Sequence, residues 1–184
     1  MKVRTARALG SPLMEILAIA VLGTLAGIAA KSAKKTEAGQ IMFASASASG
    51  TDWRSAIEAA LMELEPNLKG ANLGFIYVTE ALGPNFTDVV ARARAATGVE
   101  DWVGAVGLGV CGIGAEYFDE FAVAMMVIDT PPGGYQLFER AGDVGVPSVG
   151  PGISGVPFVV LHVDSSNEKL LEDMETIADV TNGF

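Results

Sequence analysis

The region after residue 41 opens with a regular alternation of small apolar and polar residues. In FASASASG, residues 43–50, Ala occupies every second position, which predicts a β-strand. Thr51 and Asp52 then supply a helix N-cap, and Pro66 ends the helix that follows. Apolar residues recur through this helix at three- and four-residue spacing, which predicts one buried face. That face comprises Trp53, Ile57, Ala60, Leu61 and Leu64.

The next two segments repeat this order of strand and helix. LGFIYVT, residues 73–79, is an apolar run with β-branched and aromatic residues, typical of a strand that is buried on both faces. Residues 86–96, FTDVVARARAA, have the amphipathic pattern of a helix, and Gly98 is positioned as its C-cap. Up to this point the sequence therefore predicts the order β-α-β-α.

Two more apolar segments, residues 101–114 and 121–129, are predicted as strands. Only eight residues separate Gly112 from Phe121. A parallel crossover needs a dozen residues or more, so we expect these two strands to form an antiparallel hairpin.

The last third of the chain completes the predicted fold. Residues 131–157 are rich in Gly and Pro and predict a loop with at most one short strand. Residues 158–164 are apolar and predict a further strand, and Asn167 caps a helix over residues 168–180. We therefore predict an α/β fold with a mixed β-sheet and flanking helices for a domain at residues 42–184.

Residues 12–30 form an apolar stretch of 19 residues in which Glu15 is the only charged residue. This length fits a membrane span, so we predict an N-terminal apolar helix within residues 1–31, followed by a polar linker at residues 32–41. Seven of the 19 residues are Ala or Gly, which partition weakly into lipid. Three interpretations stay open: a membrane anchor, a cleaved signal peptide, or a misassigned start with Met42 as the initiator.

Charge is distributed unevenly along the chain. Residues 1–41 hold six basic and two acidic residues, a net charge of +4, whereas the remainder holds six basic and 20 acidic residues, a net charge of −14. Nucleic-acid binding depends on cations that displace counterions from phosphates, so we do not expect nucleic acid as a partner. Cys111 is the single cysteine, so the chain cannot form an internal disulfide.

Three glycines, Gly107, Gly109 and Gly112, have the spacing of a dinucleotide-binding turn. In that motif a helix follows the glycines directly, and its N-terminus holds the pyrophosphate. The short segment before Phe121 does not provide such a helix. The glycines therefore predict a structural turn, and no cofactor is expected.

Catalysis is the alternative function that the residue types allow. Cys111 and His162 are the elements of a thiol–imidazole pair, as a thiol-dependent hydrolase or transferase would use. Within its turn, however, Cys111 has no charged neighbour that would activate it. Glu116, Asp119 and Glu120 are predicted as solvated residues rather than as a metal or acid–base cluster. We therefore predict no catalytic residues and no metal site.

The segment FASASASGTDWRSAIEAAL is followed by LGFIYVTEALGPNFTDVVARARAATGVEDWVGAVGLGVCGIGAEYFDEFAVAMMVIDTPPGGYQLF. This distributed pattern resembles the FIST (F-box and intracellular signal transduction) N-terminal domain. A strand of small residues, a helix, the strand LGFIYVT and a second helix precede a glycine-rich turn with a Gly112-to-Glu116 step. Many members place the cysteine or serine of this turn earlier than Cys111. The chain ends at residue 184, before the FIST C-terminal domain, so the resemblance implies a truncated domain.

The resemblance implies a sensory domain of prokaryotic signal transduction that binds amino acids or related small molecules. Its partners would be the small-molecule ligand and a FIST C-terminal domain or downstream signalling protein, with membrane association through residues 12–30 as an option. A cytoplasmic location follows, with or without that anchor. We expect the glycine turn and the loop at residues 131–157 to border the ligand pocket. The predicted ligand-binding residues are Gly107, Gly109, Cys111, Gly112, Gly114 and Glu116.

Overall fold

The computed structural model describes residues 18–22, 42–64, 70–140, 143–144, 158–163 and 167–180. The chain forms two compact units. One is Ala30–Thr130, and the other combines Met1–Ala29 with Pro131–Phe184. The domain predicted at residues 42–184 includes parts of both units, and its boundaries stay a prediction.

Strands and helices succeed one another along the described residues. In chain order they are β1 (Ala18–Leu22), β2 (Met42–Gly50), α1 (Trp53–Glu63), β3 (Leu73–Thr79), a 3₁₀ helix (Glu80–Asn85), α2 (Phe86–Thr97), β4 (Asp101–Gly107), β5 (Gly109–Gly112), β6 (Ala115–Phe118), β7 (Phe121–Asp129), β8 (Tyr135–Phe138), β9 (Phe158–His162) and α3 (Leu170–Val180). The predicted α/β fold with a mixed sheet and flanking helices is confirmed.

The first unit is built on a four-stranded mixed sheet in the order β2-β7-β3-β4. β7 runs antiparallel to both of its neighbours, β2 and β3, and β3 runs parallel to β4. Three strands, β2, β3 and β4, therefore run in the same direction. Their last residues lie together at what we call the carboxyl end of the sheet.

The predicted hairpin between residues 101–114 and 121–129 is wrong, because β3 lies between β4 and β7. The first of these strands ends at Gly107, so thirteen residues connect it to β7 rather than eight. Part of this longer connection folds into a separate antiparallel hairpin of β5 and β6. The remaining length is enough for the chain to pass the end of β3.

The alternation in β2 separates the two faces of the sheet. Its alanines lie on the face that α1 and α2 cover, and its serines lie on the opposite face, because successive side chains of a strand point to opposite sides. The predicted buried face of α1 is confirmed in its main positions, and α2 packs beside it. The helical residues of this core are Ala56, Ile57, Ala60, Leu64, Val89 and Ala93.

Side chains fasten both ends of β3 to β7. Asn72 Nδ2 donates to the Thr130 carbonyl at 2.9 Å, and the Thr130 N–H and hydroxyl both donate to Asn72 Oδ1, at 3.1 and 2.8 Å. At the other end, the hydroxyl of buried Thr79 donates to the Glu120 carbonyl and accepts from the Ala122 N–H at 3.1 Å. These contacts extend the pairing of the two strands beyond their ladder.

The helix ends that the sequence predicts are confirmed. Asp52 caps α1, because its carboxylate accepts from the Ser55 N–H at 2.8 Å while the Ser55 hydroxyl accepts from the Asp52 N–H at 3.0 Å. Gly98 ends α2 in the left-handed conformation, and its N–H donates to the Arg94 carbonyl. An exposed ion pair between Glu58 and Arg92 joins the two helices.

The second unit contains a three-stranded antiparallel sheet in the order β8-β1-β9, together with α3. Buried Ile177 of α3 and Val144 form a small core against Phe138, Val159 and Leu161. The short strand predicted after residue 131 and the helix predicted after Asn167 are both confirmed; the Asn167 side chain accepts from the Lys169 N–H at 2.9 Å.

The predicted N-terminal apolar helix falls almost entirely on residues that the structure does not describe. The five described residues within it, Ala18–Leu22, are a strand rather than part of a helix. None of the helices among the described residues has both the length and the apolar character needed to cross a membrane. The anchor, the signal peptide and the misassigned start all stay predictions, as does the location.

We predict that Asn72→Ala lowers the free energy of unfolding by about 1–3 kcal/mol, because it leaves buried groups of Thr130 without their partner. Urea unfolding followed by circular dichroism measures this loss. Asn85→Ala is the matched control, since the Asn85 side chain makes no capping hydrogen bond at the start of α2. Equal losses for both variants would contradict the assigned role of Asn72.

Candidate functional site

The carboxyl end of the four-stranded sheet gathers most of the connections of the first unit. Gly50, Thr79 and Gly107 are the last residues of β2, β3 and β4, and Phe121 begins β7 beside them. α1 and the 3₁₀ helix start here, and so does the segment that forms β5 and β6. In open α/β sheets, ligands bind outside the carboxyl ends of the parallel strands, so this end is the candidate region for a ligand site.

The β5–β6 hairpin folds back over the sheet face that the helices leave free. Val110 of β5 and Tyr117 of β6 are cross-strand neighbours, and both point toward the sheet. They pack against Tyr77 of β3 and against Ala122 and Ala124 of β7. The small side chains of β7 leave room for this second layer.

The hairpin reaches as far as β2 and contacts it at Ser47. Gly112 lies directly on the Ser47 side chain, so that a Cβ atom at position 112 would overlap it. The Tyr117 hydroxyl also donates to the Ser47 carbonyl, at 3.3 Å. Ser47 and Tyr117 are therefore site residues that sequence reasoning missed. The alternation of Ser with Ala in β2 was the available signal, because it places the hydroxyls on one face.

The predicted ligand-binding residues lie between the end of β4 and β6, and their role in binding stays a prediction. Gly107 ends β4, Gly109 and Gly112 bound β5, and Gly114 occupies the hairpin turn with φ of +77°, a conformation that favours glycine. β6 follows these glycines where a dinucleotide-binding motif requires a helix. The structure thus agrees with the prediction of a structural turn.

The outer face of the hairpin, which points away from the sheet, combines apolar and acidic groups. Cys111 lies opposite Glu116 across the two strands, and both side chains are exposed. Phe118 is 58% exposed and its ring covers Gly109. Ile113, in the turn, is 80% exposed. This surface offers a carboxylate, a thiol and apolar contacts to a molecule that approaches it.

The surroundings of the hairpin are strongly acidic. No Lys or Arg occurs between Arg94 and Arg140. Asp119 and Glu120, predicted as solvated, are exposed in the link from β6 to β7, and Asp119 has φ of +54°. Within the described ranges no group of three or more His, Cys, Asp or Glu could hold a metal ion.

Under the hairpin, burial raises the pKa of Tyr77, so its phenol stays protonated at neutral pH.

The thiol–imidazole pair is not tested by the structure. Cys111 belongs to the first unit, and His162, which is buried, belongs to the second. The expected pocket between the glycine turn and residues 131–157 also stays a prediction, because residues 141–142 and 145–157 lie outside the described residues.

No family model matches the chain, and no curated protein matches it. The interpretation of the hairpin therefore rests on its own geometry and on the sequence resemblance described above.

We predict that Gly112→Ala lowers the free energy of unfolding by about 1–3 kcal/mol, because the added methyl group forces the hairpin away from Ser47. In a Ser47→Gly background the same change should cost much less, since the clashing atoms are absent. Gly83→Ala is the control, because a Cβ atom there meets only Val106, at an ordinary 3.4 Å.

Urea unfolding of the four members of this cycle measures the coupling between positions 47 and 112. Amide hydrogen exchange should show in addition that Gly112→Ala exposes the hairpin more than the helices. Equal costs of Gly112→Ala in both backgrounds would show that the hairpin does not rest on Ser47.

Proposed function

We propose that residues 42–184 form a small-ligand-binding sensory domain of prokaryotic signal transduction, as the resemblance to the FIST N-terminal domain implies. The observation that supports this most directly is the β5–β6 hairpin, which lies across the sheet face next to the carboxyl end of the sheet. Ligand sites are common where a rigid sheet holds loops and hairpins at the carboxyl end of its parallel strands.

The chemistry of the hairpin favours recognition over catalysis. Its contact with β2 is made by a glycine, a tyrosine hydroxyl and a serine, which are groups that position a hairpin or bind a ligand. The backbone of Gly109 lies close to Phe118, and the backbone of Gly112 lies close to Ser47, because glycine has no side chain. Glycines also let the backbone come close to small molecules that bind to a protein.

Charge on the hairpin supports a ligand with an ammonium group. Glu116 of β6 offers an exposed carboxylate that would attract such a group. Amino acids carry an ammonium group, so we propose them and related small molecules as the ligand class.

The domain would pass its ligand state to a FIST C-terminal domain or to another signalling protein. The hairpin can transmit the ligand state, because only a few residues hold it on the sheet, mainly Val110, Gly112 and Tyr117. A ligand that changes these contacts would shift the hairpin. We propose a cytoplasmic location for this function, with residues 12–30 as a candidate membrane anchor.

A thermal-shift screen of the full chain against amino acids and small carboxylates tests the proposed function. A ligand at 100 times its dissociation constant should stabilise the chain by about 2.7 kcal/mol, so a concentration-dependent rise in melting temperature is expected. Titration calorimetry of the best hit then gives its affinity.

Glu116→Gln should weaken binding of ligands with an ammonium group. Glu100→Gln is the matched control, because Glu100 is exposed just before β4 begins, at the opposite end of the sheet. No stabilisation by any compound in the screen would contradict the sensory function. Equal effects of the two variants would exclude Glu116 from the site.

A further inference from the structure

The outer side of β2 is a strand edge with no partner strand among the residues that the structure describes. Among the described residues β2 pairs with β7 alone, in a continuous register over all nine residues. Its second side therefore presents a row of backbone N–H and C=O groups. Proteins that remain monomeric protect such edges with charged residues, proline or a bulge. β2, with the sequence MFASASASG, contains no charged residue and no proline.

We propose that β2 pairs in antiparallel fashion with β2 of a second copy of this chain. Two four-stranded sheets would then join into one continuous eight-stranded sheet around a two-fold axis. The backbone groups on the outer side of β2 would form the inter-strand hydrogen bonds of this interface.

The alternation of Ala and Ser in β2 continues across the two-fold axis in this arrangement. The two-fold axis can pass beside a residue of β2. Each Ala then lies opposite a residue of the helix-covered face of the partner strand, and each Ser lies opposite a residue of its serine face. The helix-covered face of one sheet therefore continues into that of the other. Several registers that differ by two residues keep this match, and Ala46 lies near the middle of the strand.

The position of α1 is compatible with such a pair. α1 packs over β2 and β7, so its axis would lie about one strand spacing, ~5 Å, from the two-fold axis. The two α1 helices would then be about 10 Å apart, which is a normal distance for packed helices.

The hairpin turn supplies a second contact for the same partner. Gly112 lies on Ser47 of the outer strand, so Ile113 and Gly114 follow at the β2 edge of the sheet. Ile113 is 80% exposed, although it is apolar. In the proposed pair, each Ile113 would cover the serine face of the partner strand and become buried.

The lack of charged residues in β2 allows a second copy to pair at this edge. The chain has a net charge of −10, so a partner selected by charge would be basic and would contact carboxylates. β2 instead presents a neutral edge of small residues, on which two acidic chains can meet without like charges in direct contact.

Sedimentation velocity of the full chain, over a range of concentrations and with a reductant present, tests this inference. We expect a species of twice the monomer mass of 19.0 kDa.

Ser45→Lys places a charge on the edge strand and should weaken the dimer by about tenfold or more. Thr87→Lys adds the same charge to the exposed surface of α2 and should leave the dimer unchanged. A monomer at every concentration overturns the proposal, and so does equal weakening by the two variants.

Cross-linking provides a readout that does not depend on the lysine variants. In a Cys111→Ser background, a single cysteine replaces Ser45, Ala46 or Ser47 in turn. The cysteine nearest the two-fold axis should form a disulfide between two copies of the chain under mild oxidation. Ala105→Cys, on the outer strand β4, is the control and should remain monomeric. Cross-linking at Ala105 with none in β2 would overturn the proposal.

Discussion

The chain that joins β4 to β7 has to pass the carboxyl end of β3, because β3 lies between the two strands that it connects. The rest of the first unit depends on this constraint. Thirteen residues cover the distance, and part of that length folds into the β5–β6 hairpin instead of remaining an extended loop. Thr79, at the end of β3, holds the beginning of β7 in place by bonding backbone on both sides of Phe121.

A hairpin in this position changes the properties of the free sheet face. Val110 and Tyr117 cover the alanines of β7, while Gly112 meets Ser47 of β2. Small residues are needed on both sides of this contact, which explains why β2 alternates Ala with Ser rather than with larger residues. The same small residues leave β2 without charges at its outer edge, so the hairpin contact and the proposed pairing edge arise from one sequence feature.

Local patterns in the sequence predicted the elements better than their arrangement. The limits of α1 and α2 follow from Asp52 and Gly98, which act through hydrogen bonds to backbone within a few residues. Strand pairing depends instead on contacts between distant residues, such as Asn72 with Thr130, and no local pattern specifies them. Residues 109–112 look like a continuation of β4 because they are small and apolar. This similarity led to the wrong prediction that residues 101–114 and 121–129 pair as a hairpin. The predicted site residues are neighbours in the sequence itself, whereas Ser47 joins them only through the fold.

Nuclear Overhauser contacts between strands test the central position of β3 most directly. The structure predicts contacts from Ile76 to Met125 on one side and to Gly104 on the other, with slow amide exchange along the whole of β3. Direct cross-strand contacts between β4 and β7, such as Val103 to Val123 or Val106 to Val123, together with fast exchange on one side of β3, would contradict this topology and the position of the hairpin that depends on it.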